Sequence, residues 1–148
     1  MPLYSKITDD LKSAMKSGDK ARVEALRFAL AGLNSFQKDK QVKTPDATIT
    51  DDEVVSVLQK EVKKRKDSIK LFRQGNRDDL VAKEEGDLAV IAVYIPKELS
   101  RAELEKIVSD VIAAGATDFN AAMKETMKVA KGRSDGKTVG EVIKAELG

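Results

Sequence analysis

Tyr94-Ile-Pro-Lys-Glu-Leu-Ser-Arg-Ala-Glu103 is the stretch that divides this chain. Pro96 cannot extend the helical pattern before it, because its ring fixes φ and it has no amide hydrogen. The Ser-x-x-Glu spacing that follows is that of a capping box, which is typical of the start of a new helix. We therefore predict a boundary here, with one domain over residues 1–95 and a second over residues 96–148.

Apolar residues recur at helical spacing along the chain, and no segment alternates as a strand would. Before Pro96 the pattern predicts four helices, of which the second ends near Gln37 and is followed by a polar loop over residues 38–48. After Pro96 it predicts three shorter helices, the last of which starts at Thr138. The sequence therefore predicts an all-α protein, with a four-helix N-terminal domain and a small three-helix C-terminal domain.

Composition excludes several kinds of chemistry. The chain has 148 residues, no cysteine and no histidine. Disulfides, thiolate metal sites, cysteine nucleophiles and histidine bases are therefore excluded, and we predict no catalytic residue, no metal and no cofactor. No apolar run approaches membrane-spanning length, and the amino terminus lacks the layout of a signal peptide. We expect a cytoplasmic protein of bacterial type, without a membrane partner.

Charge is balanced overall, with 27 basic and 25 acidic residues, but it is unevenly distributed. The charged residues among 60–77 are mostly basic, and those among 78–87 are mostly acidic. On a helical wheel, one stripe beside the apolar face contains the cations Lys63, Lys66, Lys70 and Arg73. Such a stripe could follow a nucleic-acid phosphate backbone, or the acidic segment could neutralise it. The charge pattern alone favours neutralisation.

Arg65 differs from these cations, because the wheel places it within the apolar face. A charge at that position needs a partner, and Glu84 or Glu85 of the following helix can supply one. The pair would fix the register of the two helices. A catalytic role for the two glutamates is disfavoured, because adjacent residues on a helix point about 100° apart.

A basic turn bounded by glycines lies between the last two helical patterns. Gly132 and Gly136 can adopt positive φ, and the start of the next helix favours an anion. The cations of the turn are Lys131, Arg133 and Lys137. Asp135 is expected to brace the turn, because its own charge would repel an anion. Alternatively, Gly132 does no more than end the preceding helix. A P-loop is excluded, because the spacing is one residue short and a helical pattern comes before it.

A basic helix, an acidic helix, a Tyr-x-Pro hinge and a Lys-Gly-Arg-x-Asp-Gly-Lys turn follow one another in this chain. The basic helix contains the run 61–68, the acidic helix the runs 76–80 and 83–85, the hinge is 94–96 and the turn is 131–137. In this combination and order they resemble the YqeY family of small bacterial proteins over nearly the whole chain. The resemblance implies an all-α fold, with a larger N-terminal helical domain and a small three-helix C-terminal domain.

The YqeY family is similar to the tail of the B subunit of the glutamine-dependent tRNA amidotransferase, in which the tail contacts tRNA and other domains carry out the chemistry. The resemblance therefore implies a non-catalytic module that associates with tRNA or other structured RNA, beside a protein partner in the aminoacyl-tRNA machinery. The residues that match the tail are Lys131, Gly132, Arg133, Asp135, Gly136 and Lys137. A protein-binding adaptor is the alternative. Carbon–nitrogen ligase activity with glutamine as amido donor is a third, but the catalytic domains have no counterpart here.

Overall fold

The computed structural model describes residues 1–148 and contains seven α-helices and no strand. The helices are α1 (Leu3–Ser17), α2 (Lys20–Lys43), α3 (Asp51–Gln74), α4 (Asp78–Ala92), α5 (Arg101–Ala113), α6 (Phe119–Ala130) and α7 (Gly136–Leu147). The all-α prediction is confirmed. No helix combines the length and the apolar character that crossing a membrane requires.

The chain divides into two compact units. The first, Met1–Ile95, contains α1 to α4, and the second, Pro96–Gly148, contains α5 to α7. The peptide bond between them precedes Pro96, a residue that cannot continue a helix. That each unit folds as an independent domain stays a prediction.

The core of the first unit is aliphatic and is formed by side chains of all four of its helices. Ile7, Leu26, Leu58 and Ile91 are fully buried there, one from each helix. Tyr94 follows α4 and packs against the same core, where its hydroxyl donates a hydrogen bond to Asp10 of α1. This contact ties the end of the unit to its beginning.

Side chains cap the starts of α2, α3 and α5, and the cap of α5 is the capping box predicted after Pro96. Thr50 and Glu53 form a capping box on α3, and Ser100 and Glu103 form another on α5. Asp19 accepts a hydrogen bond from the backbone at the start of α2. Each cap satisfies backbone donors that have no partner within the helix.

α2 is longer than predicted. The apolar period ends at Gln37, but the helix continues to Lys43. Lys40 explains the extension, because its Nζ lies 2.6 Å from Glu53 Oε1 and also donates to the carbonyl of Thr48. The predicted polar loop is therefore helical in its first half, and side chains of α2 hold its second half in place.

The second unit packs α5, α6 and α7 around a smaller apolar core. Leu104, Val108 and Ile143 are almost completely buried in it. Gly140 of α7 is also buried and lies under the ring of Phe119, so that a Cβ at this glycine would be 3.6 Å from ring atom Cζ. The glycine thus lets the aromatic ring pack closely against the backbone of α7.

Candidate nucleic-acid interface

The predicted basic stripe lies on an exposed face of α3. Lys63, Lys66 and Lys70 are exposed, and none of them forms an ion pair. They extend over about 10 Å of the helix axis, at the usual rise per residue. The fourth cation, Arg73, is paired, because its Nη2 lies 2.6 Å from Glu85 Oε1 on α4. The acidic helix therefore neutralises one cation of the stripe and leaves three lysines without a carboxylate partner.

Arg65 is largely buried beside this stripe and contacts three carboxylates. Its Nη1 lies 2.9 Å from Glu84 Oε2 and 2.8 Å from Asp87 Oδ2, and its Nε lies 3.1 Å from Glu61 Oε1. Its guanidinium carbon is 4.9 Å from the centroid of the Phe28 ring on α2. One arginine thus joins side chains from three helices.

Sequence reasoning found one of these three partners, Glu84, and missed Asp87 and Glu61. Glu61 precedes Arg65 by four residues, the spacing at which side chains on one helix meet. Asp87 follows Glu84 by three residues and so lies on the same face of α4. Glu85, the other glutamate considered, points about 100° away from Glu84 and makes no ion pair with Arg65.

Burial and ion pairing oppose each other in this cluster. Burial raises the pKa of Glu61, and the hydrogen bond from Arg65 offsets only part of that effect. Burial also lowers the pKa of Arg65, but its bonds to Glu61 and Glu84 outweigh that effect, so the pKa lies above its ordinary value. The carboxylates surround a guanidinium, and no group of three or more acidic residues is arranged to hold a metal ion.

The C-terminal turn connects α6 to α7. Lys131 is the residue after the last turn of α6, and Gly132 follows with φ 79°, as is common for a glycine just past a helix end. Gly136 has no positive φ, because it is the first residue of α7. The predicted start of α7 at Thr138 is wrong, because Asp135 is the N-cap and its Oδ1 accepts from the Thr138 amide at 2.7 Å.

The N-terminus of α7 is already compensated by a carboxylate of the chain itself. The pKa of Asp135 is lowered, chiefly by the hydrogen bond from the Thr138 backbone amide. An anion at a helix N-terminus interacts with the same exposed amides and the same end of the helix dipole. Asp135 therefore occupies the position at which a phosphate would meet these amides.

The three cations of the turn are in different environments. Arg133 Nε donates to the carbonyl of Lys97 at 3.1 Å, and the carbonyl of Arg133 accepts from the amide of Leu99 at 2.8 Å. These two bonds fasten the turn to the segment before α5. Lys131 and Lys137 are exposed and form no ion pair. Two of the three predicted phosphate-binding cations are thus available, and the third has a structural partner.

These observations define an all-α protein with two helical units and unpaired lysines on α3 and in the α6–α7 turn. The family model described as Yqey-like protein matches residues 4–147. The chain belongs to the YqeY family, as the motifs indicated.

Several fungal proteins named "Altered inheritance of mitochondria protein 41, mitochondrial" are similar to the chain. The protein from Saccharomyces cerevisiae (strain YJM789) is 30% identical over 128 residues, which covers 83% of this chain and 67% of the relative. The protein from Pyrenophora tritici-repentis (strain Pt-1C-BFP) is 30% identical over 146 residues, or 94% of this chain and 77% of the relative. The protein from Lachancea thermotolerans is 34% identical over 105 residues, or 70% of this chain and 54% of the relative.

Proposed function

We propose that this protein is a non-catalytic module that associates with tRNA or other structured RNA. The observation that carries the proposal is the row of Lys63, Lys66 and Lys70, whose ammonium groups have no carboxylate partner. An unpaired lysine keeps its full charge for a phosphate, and each phosphate it neutralises releases counterions from the nucleic acid. No aromatic side chain lies on the stripe, so the phosphate backbone of a folded RNA is a better match than stacked single-stranded bases.

The C-terminal turn is the second RNA surface, and we expect it to contribute less. Lys131 and Lys137 are available there, but Asp135 lies between them in the chain and Arg133 is bonded to Lys97. The sequence alone favoured the turn as the stronger surface, because the acidic helix was expected to neutralise the stripe. The unpaired lysines of α3 support the opposite conclusion, that the stripe on α3 is the stronger RNA surface and the turn is the weaker one.

Binding of total tRNA on filters, measured over a range of salt concentrations, tests the proposal. Replacing Lys63, Lys66 and Lys70 by glutamine should lower the magnitude of the salt slope by about 0.9 for each duplex phosphate that the variant no longer neutralises. The corresponding triple replacement of Lys131, Arg133 and Lys137 should have a smaller effect.

The matched control replaces Lys12, Lys16 and Lys20 by glutamine. These lysines are also exposed and unpaired, so the control variant has the same net charge as the α3 variant. It should bind tRNA nearly as wild type does. Salt-independent binding by the wild-type protein, or equal binding by the α3 and control variants, would overturn the RNA proposal.

A protein-binding adaptor is the second candidate function. The observation that favours it is Phe28, a large aromatic side chain that is 61% exposed beside the Arg65 cluster. A stoichiometric protein partner recovered after nuclease treatment supports this function over RNA binding. Ligase activity is less well supported, because Glu84 and Glu85 are each paired with a different arginine and do not face one common site.

The cytoplasmic location also stays a prediction. The fungal relatives carry the word mitochondrial in their names, which is a property of those proteins. Microscopy of the tagged full-length protein in its own cell determines the location of this one.

A further inference from the structure

An open groove of about 600 Å³ lies beside the Arg65 cluster in the first unit. α2 contributes the exposed ring of Phe28 to it, α3 contributes Glu61 and Arg65, and α4 contributes Glu84 and Asp87. The groove therefore combines a buried charged network with an accessible aromatic surface. Such a combination resembles the centre of a binding site more than a solvated helix face.

Each carboxylate of the network uses only one of its oxygens for hydrogen bonds. The bonded atoms are Oε1 of Glu61, Oε2 of Glu84 and Oδ2 of Asp87. The other oxygen of each residue accepts no hydrogen bond from the protein. Thr126 Oγ1 is the one buried side-chain polar atom in the chain without a partner, so none of these three oxygens is completely enclosed by the protein. The groove thus has acceptors available for a donor from outside.

The charges paired in this network do not balance. Among its largely buried groups, the three carboxylates of Glu61, Glu84 and Asp87 surround one cation, Arg65. Three negative charges against one positive charge leave an excess of two negative charges in a partly desolvated place. A cation that enters the groove would compensate this excess.

Two further cations, Arg27 and Lys64, line the groove and form no ion pair. With the exposed pair of Glu24 and Lys83, they bring the net charge of all the lining residues to zero, so the groove as a whole does not attract a polycationic tail. A ligand that carries a single cation between acidic groups is complementary in charge to the carboxylates of the groove and to its two unpaired cations. Its positive group can meet the free carboxylate oxygens, and its acidic neighbours can meet Arg27 and Lys64.

We propose that this groove binds an arginine side chain that a partner protein presents between acidic residues. A planar guanidinium can stack on the exposed part of the Phe28 ring and donate to Glu84 and Asp87 at the same time. A lysine ammonium has neither the planar face nor the forked donors. The proposal rests on the adaptor function, the second candidate above, and does not depend on RNA binding by α3.

The test uses a short blocked peptide with a single arginine between glutamates, and titration calorimetry with the full chain. Peptides that replace the arginine by glutamine or lysine are the matched probes. The arginine peptide should bind about tenfold more tightly than the glutamine peptide, with the lysine peptide between them. Equal affinities for the arginine and glutamine peptides would overturn the proposal.

Variants of the protein locate the site. Phe28→Ala should weaken binding of the arginine peptide about fivefold, because the guanidinium has no ring to stack on. Phe28→Leu, which keeps an apolar side chain without a ring, should weaken it in the same direction. Leu71→Ala is the matched control, because Leu71 is 66% exposed and does not line the groove. If Phe28→Ala and Leu71→Ala bind the peptide equally, the groove is not the site.

Measurements of tRNA binding on the same variants separate the two proposals. Phe28→Ala should bind tRNA as wild type does, since the ring is not part of the lysine stripe. The triple glutamine variant of Lys63, Lys66 and Lys70 should keep its affinity for the arginine peptide. Loss of both activities in both variants would contradict the assignment of separate surfaces.

Discussion

Arg65 Nη1 lies 2.8 Å from Asp87 Oδ2, across the contact between α3 and α4. The two side chains are 11% and 10% exposed, so both charges have lost most of their hydration. Each charge then depends on the other for compensation. Removal of either partner would therefore leave the other charge buried without compensation.

Arg65→Ala should destabilise the first unit by about 3 kcal/mol or more, because it leaves buried carboxylates unpaired and opens a cavity. Arg65→Met should cost less, because methionine refills most of the volume. Urea denaturation monitored by circular dichroism measures both variants. Equal unfolding free energies for wild type and Arg65→Ala would indicate that Arg65 is a solvated cation, like the exposed lysines of α3.

Alkaline pH should destabilise the fold through Tyr94. Burial and the hydrogen bond to Asp10 raise its pKa from 10.0 to about 12. The folded state therefore holds this proton more tightly than the unfolded state. The resulting stability is complete below about pH 10 and is lost as pH rises from about 10 to 12. Tyr94→Phe should flatten the fall in unfolding free energy over this range, and an unchanged slope would be evidence against this coupling.

Gly86→Ala should stabilise the protein by about 0.5–1 kcal/mol. Gly86 lies in the interior of α4, and no heavy atom is within 4 Å of the place where a Cβ would be. Gly18→Ala is the control, because Gly18 has equal space but a φ of +74°. Gly18→Ala should destabilise the protein by about 1 kcal/mol, because alanine is strained at positive φ. If thermal melts show that both variants shift the melting temperature in the same direction, backbone conformation does not distinguish the two glycines.

Thr126→Val should leave the second unit unchanged or stabilise it by about 1 kcal/mol. Thr126 is fully buried, and its hydroxyl has no hydrogen-bond partner. Valine keeps the shape and removes an unsatisfied polar atom. Thr126→Ala removes the methyl group as well and should be less stable than Thr126→Val in thermal melts. A loss of stability in the valine variant would reveal a partner for the hydroxyl.

Limited proteolysis should cut within residues 95–101 and spare residues 38–48. The first segment contains the boundary between the two compact units, at the Ile95–Pro96 bond, and has no helix before Arg101. The second is helical up to Lys43 and is then held by Lys40. Mass spectrometry of the fragments identifies the sites. Early cleavage within residues 38–48 would indicate that these side-chain contacts do not protect the loop.

The helical fold and most helix starts are predictable from the sequence, because they depend on residues close together in the chain. A capping box involves residues three apart, such as Thr50 and Glu53, and an apolar stripe repeats every three or four residues. The start predicted for α7 is too late for a local reason. The prediction starts the helix at Thr138, whereas Asp135, three residues earlier, is its N-cap.

Properties that depend on contacts between helices could not be predicted from local sequence spacing. The end of α2 depends on an ion pair between Lys40 and Glu53, which are thirteen residues apart. From the sequence, Glu84 and Glu85 were equally suitable partners for Arg65. The packing of α4 against α3 brings Glu84 within ion-pair distance of Arg65.

By itself, the sequence determined the class of fold, the family and the residues that could carry a function, since these follow from local spacing and from the order of motifs. Only the tertiary structure decided which charges are neutralised. An ion pair forms between side chains that packing brings within a few ångströms, and that distance is set by helix register. Arg73 is therefore neutralised by Glu85, while Lys63, Lys66 and Lys70 keep their charges available.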